Sequence, residues 1–145
     1  MGGHFGGELK KTGWDGFVVT GKAEKPVYLY INDDVVEIRS AEHLWGKDTF
    51  ETYDTLLSET DPKARAAVIG PAGENQVHFA AVIQGGKTHS RAAGRGGSGA
   101  VMGSKNLKGV VVRGSQKPAL HDPQQFRDFM KETNKKIKEA SVGMS

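Results

Sequence analysis

A chain of 145 residues, 37% apolar and 26% charged, is long enough for one compact domain with a modest core and too apolar to stay disordered. The absence of cysteine excludes disulfides, thiolate metal sites and cysteine-bound iron–sulfur clusters within these residues, and the lack of any long apolar run gives no membrane span or secretory signal, leaving the cytoplasm as the default compartment. The net charge of +3 hides an asymmetry: nine acids stand against Arg39 and Lys47 between Ile31 and Asp61, whereas seven Lys or Arg and no acid fall between Gln76 and His121.

In chain order, "HFGGELKKTG" predicts a short helix closing near Gly13, and "GFVVT" at 16–20 a strand. "KPVYLYI" alternates Val27, Leu29 and Ile31 with Tyr28 and Tyr30, the pattern of a half-buried strand; "NDD" turns the chain and "VVEIR" returns as the second arm of a hairpin. Pro26 fits an edge position, because proline cannot donate to a ladder. Ser40 can cap a short helical turn through His43, Leu44 and Trp45. Asp48 and Glu51 have capping-box spacing ahead of a helix that carries Phe50, Tyr53 and Leu57 on one face. "ARAAVIG" reads as a short buried strand, "PAGENQ" as a turn and "VHFAAVIQ" as another strand. After a glycine-rich loop, "AVMGSKNL" suggests a short helix and "GVVVRG" a strand. Asp122 then caps a last helix with Pro123 at its first position and Phe126, Phe129, Met130 and Ile137 as its apolar stripe. Strands and helices alternate without a sustained βαβ rhythm, so the expected class is α+β, with mixed or antiparallel sheets and short helices.

The loop "RAAGRGGSGAVMGSKNLK" at 91–108 holds five glycines, four basic residues and no acid. Glycine lets a backbone approach a ligand closely, and the basic side chains call for an anionic guest. Gly94, Gly96 and Gly99 satisfy G-x-G-x-x-G, but no acid follows where a ribose-binding carboxylate belongs, about 20 residues on. "GSK" at 103–105 fails as a P-loop, since Ser98 occupies the first glycine position and the lysine follows the serine. The histidines at 4, 43, 78, 89 and 121 have no compact metal spacing; His43 fits a helix surface and His78 strand packing. No nucleophile–base pair is legible. From the residues alone the reading is an anion-binding loop on a small α+β domain. The bland alternative is two oppositely charged surfaces that steady each other.

Six segments in register, "GGHFGGELK", "GWDGFVVTGKAEKPVYLYI", "LWGKDTFET", "IGPAGEN", "RAAGRGGSGAVMGSKNLK" and "VVVRGS", resemble the N-terminal domain of the tungsten-containing aldehyde ferredoxin oxidoreductases. The resemblance runs from Gly2 to about Ser115 and more loosely through the final helix. It implies a partial pterin-cofactor-binding domain over 1–118 and, over 119–145, a helix leading toward further catalytic domains. Enzymes of this family oxidise aldehydes to carboxylic acids and pass electrons to ferredoxin, using tungsten (or molybdenum) held by two pterins and a nearby [4Fe–4S] cluster. The resemblance thus implies a cytoplasmic, anaerobic enzyme, with aldehyde, ferredoxin, the remaining enzyme domains and a second copy in a homodimer as partners. Carried over residue by residue, Arg91 contacts a pterin and its phosphate, and the Ala92 carbonyl ligates a magnesium ion that bridges the pterin phosphates. Gly2 and Gly3 match a glycine pair at the cofactor, and Gly94, Arg95 and Gly96 are weaker cofactor contacts. Arg95 serves equally well, on this reading, as an arginine bonding loop carbonyls.

The sequence departs from the family pattern at its ends. The family's glycine pair follows an asparagine and a serine, whereas Met1 precedes Gly2 here, and the family's upstream arginine, first strands and downstream C-x-x-C-x-x-x-C cluster ligands are absent. The resemblance therefore implies a fragment (an excised piece, a partial gene or one part of a split enzyme) that is inactive alone. "GPAGEN" is expected to be structural, with Gly73 turning the chain and Glu74 or Asn75 bonding backbone. Trp14, Trp45, Tyr28 and Tyr30 are expected to be packing and surface residues. Two alternatives stand beside this reading: an active-site subunit of a benzoyl-CoA-type reductase within the family, and a stand-alone module binding RNA or another polyanion. The latter lacks base-stacking aromatics, since none falls between Phe79 and Phe126.

Overall fold

A computed structural model describes residues 2–87 and 89–142. Six strands form one mixed sheet in the order β2-β1-β6-β3-β4-β5. β1 (Val27–Asn32) and β2 (Val35–Ser40) make the expected antiparallel hairpin, with Asp33 in the left-handed region at the turn. β1 runs parallel to β6 (Leu107–Arg113), which pairs antiparallel with β3 (Arg65–Val68). β4 (Val82–Gln84) and β5 (Arg91–Ala93) extend the sheet antiparallel to its far edge. The α+β class holds, with a sheet of mixed direction.

Strand periodicity sorts the apolar residues into two cores. Tyr28 and Tyr30 of β1, Ala66 and Val68 of β3 and Val111 of β6 face one side, where Leu44, Tyr53 and Leu56 cover them. Ile31, Ala67, Val110 and Val112 face the other, against Phe5, Ile69, Val82 and Leu107. β1 is thus a central strand buried on both sides. The half-buried alternation expected from "VYLYI" is corrected: the two tyrosines lie in the core, and β2 is the edge, exposing Val35, Val36 and Ile38.

The helices follow their local signals. α1 spans Phe5–Lys11 and α2 spans Thr49–Glu59. The Asp48 carboxylate accepts from the amides of Phe50 and Glu51 at 2.8 Å, as its spacing predicted. The buried face of α2 is Thr52, Tyr53 and Leu56, rotated from the expected Phe50–Tyr53–Leu57 stripe, with Leu57 at its margin. The last helix, α5 (Pro123–Val142), begins where Asp122 Oδ1 accepts from Gln124 and Gln125, both at 2.9 Å. Its expected stripe of Phe126, Phe129, Met130 and Ile137 exists but faces solvent.

Other expectations are corrected. Residues 16–20 form no strand. They lie beside the sheet face, where Phe17 and Val19 line an apolar groove with Leu29 and Ile31 instead of joining a ladder. "PAGENQ" contains a helical turn, α3 (Pro71–Glu74), started by Pro71 at its first position. The strand expected over 77–84 is real only over Val82–Gln84. Gln76 is left-handed, and the Val77 and Ala80 amides are spent on turn bonds to Ala72 and Val77 carbonyls. His78 accordingly sits exposed in that turn and not in a strand, while His43 lies on the surface as expected.

Candidate functional site

The first three residues of the glycine-rich loop are a strand. Arg91, Ala92 and Ala93 pair with Gln84, Ile83 and Val82, so β5 is the open edge of the sheet. Arg91 and Ala92 are both exposed at this edge, while Ala93 packs on the second core. The Arg91 guanidinium donates through Nη1 to the Ser90 carbonyl at 3.0 Å and meets no carboxylate among the described residues. Glycine-rich chain from the N-terminus comes alongside it: a methyl group on Gly2 would stand 3.9 Å from Arg91 Cδ, and one on Gly3 3.3 Å from Arg91 Cγ. Residues 88 and 89 positions apart in sequence therefore share one edge, and the structure brings together Gly2, Gly3, Arg91 and Ala92.

Gly94, Arg95 and Gly96 form the exposed tip beyond β5. Nothing lies within 4 Å of a Cβ placed on Gly94 or Gly96, and Arg95 bonds no loop carbonyl among the described residues. The reading of Arg95 as a loop-bonding arginine is thereby corrected. The tip leads into α4 (Ser98–Ser104), which lies close to the backbone of α3 at Gly103 and of residues 80–81 at Gly99. A Cβ on Gly103 would fall 1.8 Å from the Gly73 carbonyl oxygen, and one on Gly99 2.6 Å from that of Ala81. Only glycine permits this backbone contact.

Beside the edge lies a cleft of about 500 Å³ lined by Gly3, Tyr53, Arg65, Gln84 and Lys87 among others, with Asp54 its one acid. No group of three His, Asp or Glu residues able to hold a metal occurs among the described residues. Protein side chains here thus suit an anion better than a bare cation.

Two charged networks tie β6 to its neighbours, the first buried and the second part-buried, and neither set of partners was legible in the sequence. Glu74 of "GPAGEN" pairs with Lys108 of β6; their side chains are 5% and 0% exposed. Lys108 Nζ also donates to the Lys47 carbonyl at 2.8 Å, and the Glu74 carboxylate accepts from the Gly46 amide at 2.9 and 3.0 Å. Burial pushes the Lys108 ammonium below its ordinary range, and Glu74 partly opposes that shift. The structural role expected of Glu74 is therefore a buried ion pair as well as backbone bonding, while Asn75 bonds the Pro71 carbonyl. At the other end of β6, Arg113 reaches Glu8 at 2.9 Å and Asp61 at 2.8 Å, and Glu8 accepts from the Gly114 amide. Burial alone would raise the Glu8 carboxyl, but the Gly114 amide, Lys11 and Arg113 outweigh it and hold it low. The signal for both networks is a charged residue inside or beside an apolar strand, "LKGVVVR", but its partners are set only by the fold.

A family model described as "Aldehyde ferredoxin oxidoreductase, N-terminal domain" matches residues 1–114. The chain belongs to this family and carries its N-terminal domain. Among similar proteins, the tungsten-containing aldehyde ferredoxin oxidoreductases of Pyrococcus abyssi (strain GE5 / Orsay) and Pyrococcus furiosus (strain ATCC 43587 / DSM 3638 / JCM 8422 / Vc1) are each 52% identical over 142 residues. Each match covers 97% of this chain and 23% of the relative. An aliphatic sulfonate oxidoreductase, WOR-like subunit, of Pyrococcus furiosus is 43% identical over 144 residues, covering 90% of this chain and 23% of its own length. A solved structure, the active site complex BamBC of benzoyl coenzyme A reductase in complex with 1,5-dienoyl-CoA, superposes with a TM-score of 0.88 at 45% identity. That likeness covers 93% of this chain and 20% of the solved chain. The chain thus spans less than a quarter of the length of these relatives. No helix among the described residues is long and apolar enough to cross a membrane.

Proposed function

We propose that this chain forms part of the base on which a tungsten (or molybdenum) bis-pterin lies in an aldehyde-oxidising oxidoreductase. The observation that carries the reading is the juxtaposition of Gly2–Gly3 with Arg91, a guanidinium without a carboxylate partner on an open strand edge. The donor set fits a phosphate-bearing ligand. Arg91 offers a planar fork for phosphate oxygens, Arg95 has no partner among the described residues, and no acid occurs in the sequence between Gln76 and His121. On this reading Gly2 and Gly3 would admit the pterin closely, Arg91 would hold its phosphate, Gly94 and Gly96 would leave room at the tip, and the Ala92 carbonyl would bind a magnesium ion that neutralises phosphate charge.

When bound, the tungsten pterin supplies the redox centre at which aldehyde and water become carboxylic acid, with electrons leaving through a [4Fe–4S] cluster to ferredoxin. The residues of this chain do no bond chemistry. They bind and orient the cofactor, on a sheet packed between two apolar cores. The cluster ligands and the substrate cavity fall to regions of the relatives that this chain does not cover, so the reading gives the chain alone no turnover. Ferredoxin, a homodimeric partner and a cytoplasmic setting belong to the same proposal. A second reading within the family, the active-site subunit of a benzoyl-CoA-type reductase, is favoured by the likeness to BamBC. It assigns the same cofactor cradle, and assay with aldehydes against aromatic CoA thioesters separates the two.

The test is tungsten and pterin content per folded protein in the full-length enzyme. Arg91→Ala is expected to lower both. Arg91→Lys, which restores charge without the fork, is expected to recover them only in part. Lys117→Ala, an exposed residue outside the cradle, is the control; Arg113 is unsuited because it holds Glu8 and Asp61. Equal content in all variants overturns the reading.

A further inference from the structure

We propose that Gln84 is a positioning residue for the cradle: its buried side-chain amide fastens the Gly2–Gly3 segment against β5 and so sets where Arg91 presents its guanidinium. The inference rests on the reading of the cradle given above. Gln84 ends β4, is 4% exposed and lies directly opposite Arg91 in the antiparallel register. Opposed residues in such a pair extend their side chains from the same face of the sheet.

Two neighbours meet at this one amide. Gln84 Oε1 accepts the Phe5 amide at 3.0 Å, across 79 positions of sequence. Phe5 opens α1, and the helix-capping position before it, His4, provides no side-chain bond. Gln84 therefore satisfies a helix-terminal donor that local sequence leaves unmet. The other face of the amide presses on Gly3. A Cβ there would stand 2.6 Å from Gln84 Nε2 and 3.1 Å from its Cδ, besides 3.3 Å from Arg91 Cγ. With φ at +95°, Gly3 holds a conformation that a side chain would oppose for a second reason. The Gln84 amide and the Arg91 stem thus fill the space that glycine leaves. Gln84 lines the cleft, and its Nε2 has no acceptor among the described residues.

A residue that merely caps α1 behaves differently from one that positions the cradle, and two substitutions separate them. Gln84→Leu keeps the volume but removes acceptor and donor. Gln84→Glu keeps an acceptor for the Phe5 amide, replaces Nε2 with a carboxylate oxygen and sets a negative charge opposite Arg91. The readouts, both on the full-length enzyme, are hydrogen exchange of the peptide covering Gly2 to Leu9, and tungsten plus pterin content. In Gln84→Leu the Phe5 amide is expected to exchange about tenfold faster, the effect of one lost buried hydrogen bond, and cofactor content to fall. In Gln84→Glu, protection of Phe5 is expected to return while content stays low, because the carboxylate competes with phosphate for Arg91. Unchanged exchange in Gln84→Leu overturns the proposal, and so does Gln84→Glu restoring content together with protection, the signature of helix capping alone. If Arg91→Ala retains full content, the cradle reading itself fails. If Arg91→Ala loses cofactor while Gln84→Leu retains it, only the role of Gln84 fails.

Discussion

Replacing Glu74 with alanine leaves the Lys108 ammonium buried without its counter-charge. Lys108 is fully enclosed, and its remaining acceptor is the Lys47 carbonyl. Removing one partner of a buried pair costs roughly 3–5 kcal/mol. Because Lys108 keeps one of its two acceptors, the lower end applies, about 3 kcal/mol, or a fall of about 1.5 M in urea midpoint at an m-value of about 2 kcal/mol/M. The loss also depends on pH in a defined direction. Burial already lowers the Lys108 pKa against the opposing pull of Glu74. Deleting Glu74 lowers it further, so the variant sheds the buried proton at a lower pH than wild type and escapes part of the penalty. The deficit is therefore expected to be largest near neutrality and to shrink as pH rises toward 10, the range of an ordinary lysine. Glu74→Leu combined with Lys108→Met, which removes both charges, is expected to recover most of the stability. Urea titrations at fixed protein concentration, at pH 7 and pH 9.5, measure these quantities. A loss below about 1 kcal/mol, the range of surface pairs, or a deficit that grows with pH, would refute the reasoning.

Acid should unfold the protein partly through Glu8 and Asp61. Burial raises Glu8, but the Gly114 amide, Lys11 and Arg113 prevail; the Lys63 amide and then Arg113 lower Asp61. Carboxyls held low in the folded state contribute stability above their ordinary values near pH 4 and lose it as pH falls through the lowered ones. Arg113→Ala is expected to cost about 1–2 kcal/mol at pH 7, discounted because Arg113 and Asp61 are 27% and 32% exposed, and to flatten the fall in Tm between pH 5 and 3; an unchanged acid limb would contradict this. Gly103→Ala drives a methyl into the Gly73 carbonyl and is expected to cost at least about 1–3 kcal/mol, whereas Gly94→Ala, with open space around it, should leave the unfolding free energy within about 0.5 kcal/mol of wild type. Val18, Ile38, Phe79 and Phe129 are all more than 60% exposed, so the chain by itself is expected to self-associate in sedimentation velocity as concentration rises; a concentration-independent monomer would count against an apolar surface of this kind driving association.

Local signals were legible where the chemistry was local. Asp48 and Asp122 cap the helices their spacing announced, and "VYLYI-NDD-VVEIR" folds as the hairpin it spells. Burial on both faces of β1 was hidden because aromatic residues in alternation look the same whether the second face meets water or Leu44 and Tyr53. The strand proposed over 16–20 failed for the opposite reason: Val19 packs on a sheet face while Val18 meets solvent, and no ladder accepts the backbone. At the candidate site, glycine and arginine content pointed to an anion and the family resemblance picked out Arg91 and Gly2–Gly3. Gln84, whose amide joins them, gave no sign, since a hydrogen bond spanning 79 residues leaves no trace in sequence spacing.

The central claim is that the β5 edge beside Gly2–Gly3 carries the cofactor. An anomalous difference map at a tungsten absorption edge, from crystals of the full-length enzyme, tests it most directly. The account predicts tungsten beside the β4–β5 end of the sheet and pterin phosphate density about 2.7–2.9 Å from the Arg91 guanidinium, the length of a charge-assisted bond. Tungsten over the β2 edge or against α5, with Arg91 left facing solvent, would contradict it.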